Sequence, residues 1–177
     1  MGRKATWVLA CGVFIVFAMT YVGIALATPA SGFAGTTLAV GRFDDIDVTN
    51  HAVLDVLNAS GRIRKSPWFS LQKSNGPSDL YVQNNVWAPG GTSGWHTHPG
   101  HSLIIVTAGE VTAYEGEDPD CAPRVYTVGM GFVDAGGDHV HNLRNEGPVE
   151  ARTMAVQLVP AGATRRIDAE VNPACAF

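Results

Sequence analysis

Short apolar stretches separated by turn residues occupy most of the chain after about residue 38, and no long stretch keeps the spacing of an amphipathic helix. Many short strands at nearly regular spacing are typical of a β-sandwich or β-barrel. The pattern therefore predicts an all-β fold with strands at 39–48, 52–57, 68–72, 80–87, 103–106, 111–114, 124–128, 131–134, 139–143 and 153–159.

Two of these predicted strands differ in their apolar pattern. In 153–159, Met154, Val156 and Leu158 alternate with Ala155 and Gln157, which predicts a half-buried strand. The stretch 103–106 instead reads Leu-Ile-Ile-Val without interruption. A continuous apolar run of this length predicts a strand that is buried on both faces.

The first 27 residues have the pattern of an export segment. Arg3 and Lys4 precede an uncharged apolar run that ends in Ala25-Leu26-Ala27, a pattern that a signal peptidase recognises. Because about 20 apolar residues suffice to cross a bilayer, the segment is either a signal peptide or a membrane anchor. Both alternatives place the folded domain outside the cytoplasm, secreted or in the cell envelope.

The chain after the export segment is predicted to form one domain. The small and polar residues of 28–37 predict a linker, and 38–177 is long enough for a single barrel with its own core. Without the first 27 residues, ten Lys and Arg stand against 16 Asp and Glu, a net charge of −6. This acidic balance argues against nucleic acid as a partner.

Two cysteines, Cys121 and Cys175, remain after the export segment. In an oxidising compartment an even pair favours a disulfide, which would pin the C-terminal tail. Two free thiols are the alternative, since one pair in a chain of this size is a weak signal.

Five of the six histidines lie in two short windows, 96–101 and 139–141. His96 and His98 are two residues apart, so on a strand their side chains point the same way with Cα atoms roughly 6.5 Å apart. Two imidazoles at that separation can bind one ion. His139 and His141 repeat the pattern in a later strand-like segment, and together the windows predict a metal site.

Both windows resemble the two motifs of the cupin family. Residues 90–109 have a glycine, five residues, His-x-His and a closing glycine, as in the first motif, and 134–145 resembles the second, with His141 followed by Asn145. The resemblance implies a double-stranded β-helix, the jelly-roll cupin barrel, preceded by the signal or anchor segment. It also implies a metal bound by His96, His98 and His141.

The chain departs from the cupin pattern at the acidic ligand. Ser102 stands where the family usually has glutamate, and Ala135 replaces the proline of the second motif in a turn one residue longer. Three histidines and an open position then remain. His101, His139 and water are the candidates for the fourth ligand.

The predicted cofactor is one divalent transition metal ion, with zinc, iron, copper and nickel as candidates, because imidazole suits these metals and magnesium and calcium prefer oxygen. We expect an exported metal-binding cupin that acts as a metalloenzyme on a small organic molecule. The alternative is a non-catalytic module of the cell envelope that binds a metal or small ligand. The resemblance also makes a homodimer an expected assembly, and an uncleaved N-terminal segment would add membrane anchoring.

Overall fold

The computed structural model describes residues 28–175 and 177, so the predicted signal or anchor segment lies outside it. Regular structure within these residues consists of strands, and the all-β jelly-roll prediction is confirmed. None of the described residues forms a helix that could cross a membrane. The strands are β1 (Ser31–Phe43), β2 (Asp47–Leu57), β3 (Ile63–Lys73), β4 (Ser78–Thr92), β5 (His96–Thr97), β6 (Ser102–Ala108), β7 (Glu110–Glu115), β8 (Arg124–Thr127), β9 (Gly131–Asp134), β10 (His141–Arg144), β11 (Ala151–Pro160) and β12 (Ile167–Asp168).

Ten of the strands form one continuous sheet that consists of two halves. One half has the order β1-β4-β11-β6-β9, and the other has the order β8-β7-β10-β5-β12. The halves meet where Thr92 of β4 pairs with Arg144 of β10. This arrangement gives a nearly closed barrel with one shared interior.

The apolar core lies between the two halves. Trp87, Ile104 and Ala155 come from one half, and Val111 and Leu143 come from the other. Because side chains alternate across a strand, each strand contributes every second residue to this interior.

The exposed faces of two central strands correct the sequence interpretation. Leu103 and Ile105 of β6 are 52% and 53% exposed, so this strand is not buried on both faces. In β11 the buried face carries Ala155 and Gln157, while the larger Met154 lies on the outer face. The inner positions line a cavity, and a cavity wall accommodates small and polar side chains.

The first strand begins earlier than the composition indicated. β1 starts at Ser31, inside the stretch 28–37 that was predicted to be a linker, and it pairs along its length with β4. Small residues suit this strand because it lies close against its neighbour: a Cβ at Gly35 would overlap the side-chain amide of Gln83. Gly and Ala therefore indicate close packing here rather than a flexible connection.

The C-terminal tail is fixed by a disulfide. Cys121 and Cys175 are bonded, with Cα atoms 5.3 Å apart, so the alternative of two free thiols does not apply. Cys175 packs beside Trp95 and Tyr114 in a second apolar cluster.

β2 and β3 form a separate two-stranded hairpin. Phe43 of β1 pairs with Ser78 of β4, and Asp47 then pairs with Lys73, so the hairpin continues the β1–β4 ribbon beyond the barrel. We call residues 47–73 the arm. Within the described residues the arm's strands hydrogen-bond only to each other.

Candidate metal centre

Three histidines from two strands meet inside the barrel. His96 begins β5, His98 follows that strand, and His141 begins β10 directly opposite His96 in the strand pairing. The ring centroid of His96 lies 4.8 Å from that of His98 and 4.4 Å from that of His141. The centroids of His98 and His141 are 5.5 Å apart. One nitrogen from each ring lies within 4.8 Å of the other two, so the cluster could bind a metal ion.

Backbone carbonyls orient two of these rings. The Nδ1 of His96 donates to the carbonyl oxygen of Gly94 at 2.8 Å, and the Nδ1 of His98 donates to that of Arg165. A carbonyl oxygen can only accept, so each Nδ1 carries the proton and each Nε2 keeps its lone pair. Hydrogen bonds of this kind fix the tautomer of metal-ligating histidines.

The buried imidazoles are held in their neutral form. Burial, with smaller contributions from His141 and Arg166, lowers the pKa of His96 to about 2. Burial and the neighbouring His98 and His139 lower the pKa of His141 to about 3. Neutral imidazole is the form that binds a metal, so these rings need no deprotonation near pH 7.

A buried carboxylate lies against the cluster. Asp134, at the end of β9, is 3% exposed; its Oδ2 lies 3.2 Å from His98 Nε2 and its Oδ1 lies 3.4 Å from His141 Nδ1. Two donors bound to one ion at about 2.1 Å lie roughly 3.0–3.4 Å apart in octahedral or tetrahedral geometry. Asp134 therefore lies at ligand spacing from His98 and from His141 through different oxygens, and as a candidate ligand it groups with His139 and His141 rather than with His96 and His98.

The turn after β9 holds this carboxylate in position. The backbone N–H of Gly136 donates to Asp134 Oδ1 at 3.0 Å, and Ser102 Oγ donates to Oδ2 at 3.4 Å. Gly136 has a φ of +67°, and a Cβ there would overlap the carbonyl of Gly100. Burial raises the pKa of Asp134, and the nearby His98 opposes that rise.

The histidines border a cavity of about 220 Å³. Its wall includes Trp87 and Ile104 from the first half of the sheet and two consecutive arginines, Arg165 and Arg166, from the segment before β12. Ligand pockets for drug-sized molecules typically measure about 300–1,000 Å³, so this cavity suits a smaller molecule.

Comparison with known proteins identifies the family. A model of the cupin domain matches residues 86–157, which contain β5, β10 and the histidine cluster. Residues 86–157 therefore form a domain of the cupin superfamily. No curated protein matches this cupin.

Several solved structures are similar to this chain at low identity. They include a cupin-like protein from Thermotoga maritima (23% identity, TM-score 0.43, 52% of this chain and 65% of that one). Another is a cupin domain from Bordetella pertussis (22%, 0.38, 45% and 80%). The polyketide cyclase RemF from Streptomyces resistomycificus is also similar (15%, 0.43, 54% and 65%).

The cupin's other histidines occupy different places. His139 lies outside the strand predicted for it, and its Nε2 contacts Glu115 Oε2. With Asp134 and His141 it forms a second group of candidate ligands that overlaps the first. His101 belongs to neither group among the described residues, so the structure does not support it as the fourth ligand.

The sequence interpretation missed Asp134. It is seven residues before His141 and was predicted only as the last residue of the strand 131–134, whereas the strand pairing puts it directly opposite Ser102. Ser102 is the position at which the resemblance expects glutamate. An acidic residue at the end of the preceding strand was the available signal, but its significance depends on β6 and β9 being neighbours.

Proposed function

We propose that this chain is an extracytoplasmic metalloprotein that binds one divalent transition metal through His96, His98 and His141 and acts on a small organic molecule in the adjoining cavity. The observation that carries the proposal is the convergence of three imidazoles, two buried and one partly buried, beside a buried carboxylate; two of the rings have Nε2 free for a metal. Asp134 supplies the negative charge that Ser102 does not.

An unpartnered atom supports the fit of a metal to this cluster. His141 Nδ1 is buried and has no hydrogen-bond partner among the described residues, although Asp134 lies close by. Leaving a buried polar atom unpaired costs about 1–3 kcal/mol of folding free energy. An ion bound to the cluster would offset this cost. A bound metal would polarise a carbonyl, activate water or bind dioxygen.

The chain's own residues would bind the organic molecule and exclude water. Trp87, Ile104 and Leu143 form the apolar part of the cavity wall, next to His96 and His98. His139 is the candidate for proton transfer with solvent, because it is partly exposed. Its Nε2 contacts Glu115, and its Nδ1 lies 4.0 Å from Asp134 Oδ1.

Metal analysis of the purified protein tests the centre. We expect about one transition metal ion per chain in the wild type, loss of that ion in His96→Ala, and full retention in His51→Ala. His51 is exposed in the arm, so its substitution is a matched control for removing a histidine. Wild-type protein that takes up no metal under any loading condition would overturn the proposal.

A non-catalytic binding module is the second candidate. The observation in its favour is that burial lowers the pKa of His96 to about 2 and that of His141 to about 3, so neither ring would serve as a general acid or base at pH 7. Oxygen consumption and isomerisation assays of the metal-loaded protein on small carbonyl and phenolic compounds separate the two. Turnover that depends on His96 favours the enzyme, and tight ligand binding without turnover favours the module.

Export of the domain is part of the proposal. The disulfide between Cys121 and Cys175 supports it, because stable disulfides are typical of oxidising compartments. Cell fractionation and intact-mass measurement test it: we expect a protein outside the cytoplasm that either begins at Thr28 or keeps the first 27 residues as a membrane anchor. Full-length protein confined to the cytoplasm with reduced cysteines would contradict export.

A further inference from the structure

Two hydrogen-bond donors in the cavity wall lack acceptors. Trp87 and Arg166 both line the cavity, and Trp87 Nε1 and Arg166 Nη2 are buried without a partner among the described residues. Indole and guanidinium groups only donate hydrogen bonds. A ligand that satisfies them must therefore bring acceptors, and donors of this kind favour oxygen atoms.

The charges around the cavity favour an anion. Arg166 lines the same cavity as His96 and His141. Its Nε is paired with Asp168 at 2.6 Å, which leaves Nη2 as the free end of the guanidinium fork. Among the described lining residues, Asp134 is the one acid against two arginines.

The second arginine is held rigidly by its neighbours. The Arg165 guanidinium stacks 3.9 Å from the ring centroid of Tyr81 and donates to Gln157 and Gln83. The carbonyl of the same residue accepts from His98, so the arginine segment and the histidine cluster are positioned together. A ligand that contacts Arg166 would thus lie beside the metal centre.

We infer that the molecule bound in this cavity is a small carboxylate, recognised by Arg166 with Trp87 as a second donor. That this ligand is the substrate rests on the proposed function. A carboxylate matches because it is a small anion whose two oxygens could accept hydrogen bonds from Arg166 Nη2 and Trp87 Nε1, and because its size can stay within about 220 Å³.

Matched acids and amides test the requirement for negative charge. Calorimetry on the metal-loaded full chain would compare acetate with acetamide, lactate with lactamide, and benzoate with benzamide. Each pair has nearly the same shape and differs in charge. We expect at least one acid to bind about tenfold or more tightly than its amide, with that preference lost in Arg166→Met and partly kept in Arg166→Lys.

Arg152→Met is the control, because Arg152 is an exposed arginine paired with Glu150 on the outer face of β11. Acids that bind no better than their amides, or equally well to Arg166→Met and the wild type, would overturn this inference. Metal content measured on the same samples keeps the two proposals apart. Protein that binds metal but no carboxylate would refute only the inference about the ligand. Protein that binds no metal would refute the proposed metal centre.

The arm carries an independent signal, because it exposes apolar side chains on both of its faces. A two-stranded hairpin is marginally stable by itself in water. Eight large apolar residues of the arm are between 47% and 73% exposed: Val48, Val53, Leu54, Leu57, Ile63, Trp68, Phe69 and Leu71. They alternate between the two faces of the hairpin, so turning it toward its own barrel would cover only one face.

The area of this surface is that of a protein interface. A large side chain carries roughly 150–250 Å² of surface, so eight residues exposed to this degree present roughly 900 Å². The largest apolar patch on a typical monomer is about 300–600 Å², and a stable interface buries about 800 Å² per partner. This area is divided between the two faces of the arm, so a partner that covers both faces would bury the area that one side of a dimer needs.

We propose that a second copy of this chain covers the arm. In a twofold dimer each copy offers the same surface, so both arms would be covered at once. The exposed Leu103, Ile105 and Val133 on the outer face of β6 and β9 provide further apolar surface for the same assembly.

Sedimentation of the full chain tests the dimer. We expect a dimer in the wild type, a monomer in the double variant Val53→Asp/Phe69→Asp, and a dimer in Ser60→Asp. Val53 and Phe69 lie on one face of the arm, while Ser60→Asp adds a negative charge in the exposed loop at its tip, away from both faces. A monomeric wild type at about 100 μM, a dimer that survives the double variant, or a monomer that binds lipid vesicles through the arm would each overturn the proposal.

Discussion

Replacing Asp134 with asparagine removes a buried negative charge from the histidine cluster with little change in shape. Its two oxygens lie 3.2 Å from His98 Nε2 and 3.4 Å from His141 Nδ1. Asparagine keeps an oxygen that can accept from Gly136 but brings no charge to offset a divalent ion. We therefore expect metal affinity to fall while the fold persists.

The expected loss follows from what carboxylates around metal centres contribute. Removing such a partner typically costs 10–100-fold in affinity, or about 1.4–2.7 kcal/mol. The free energy of unfolding of the metal-free protein should change in the opposite direction or not at all. Burial raises the pKa of Asp134, which means that the ionised carboxylate is disfavoured in the folded protein without a metal.

Competition with a chromophoric chelator at pH 7.5 measures the affinity, and urea unfolding in excess chelator measures metal-free stability. Asp138→Asn is the control, since Asp138 is an exposed acid in the same turn. The double variant Asp134→Ser/Ser102→Glu adds a rescue. Because Ser102 and Asp134 are paired across β6 and β9, it moves the carboxylate to the neighbouring strand and should recover affinity about tenfold over Asp134→Ser.

Unchanged affinity in Asp134→Asn would refute the assignment of Asp134 to the metal centre. A parallel loss of metal-free stability would also contradict it, because Asp134 would then serve the fold. Affinity that falls in Asp134→Asn and stays low in the double variant would show that a carboxylate at position 102 does not reach the ion.

Three further predictions concern stability. Between pH 7.5 and 5, the free energy of unfolding of the metal-free protein should fall by about 2 kcal/mol for each of His96 and His141. The folded pKa values of these histidines, about 2 and about 3, lie below the unfolded value of 6.5, so the unfolded chain takes up protons first. The raised pKa of Asp134 partly offsets this fall. A flat profile in urea unfolding would refute this. Cys175→Ser should cost about 4 kcal/mol, since the disulfide closes a 54-residue separation, and reductant should have no further effect on the variant. Asn145→Ala should cost about 2–4 kcal/mol, because its buried amide donates to the carbonyls of Trp87 and Val149; a cost below about 1 kcal/mol in chemical denaturation would contradict that role.

Local patterns were sufficient for the strand content and for two of the three histidines of the cluster. Apolar stretches bounded by turn residues predicted the all-β fold, and the two-residue spacing of His96 and His98 put both rings on one side of the chain. The cupin resemblance added His141, which the structure brings beside them. Whether a metal binds there stays a prediction.

Burial could not be read from the same patterns. Leu103 and Ile105 have the composition of a core strand, yet they lie on the outer face, because β6 has the cavity on one side and solvent on the other. β1 was hidden for the opposite reason. Its small residues are typical of a linker when they are considered alone. They form a strand because β4 packs so closely that larger side chains would overlap it.

The sequence by itself determined the period of the strands, the paired histidines and the cysteines available for a bridge, because each depends on residues that are near one another or on residue type alone. Only the tertiary structure decided that Asp134 lies opposite Ser102, that Arg166 borders the histidines, and that the arm stands apart from the barrel. Those facts depend on which strands become neighbours. Strand pairing is set by the packing of the whole barrel, and no local pattern encodes it.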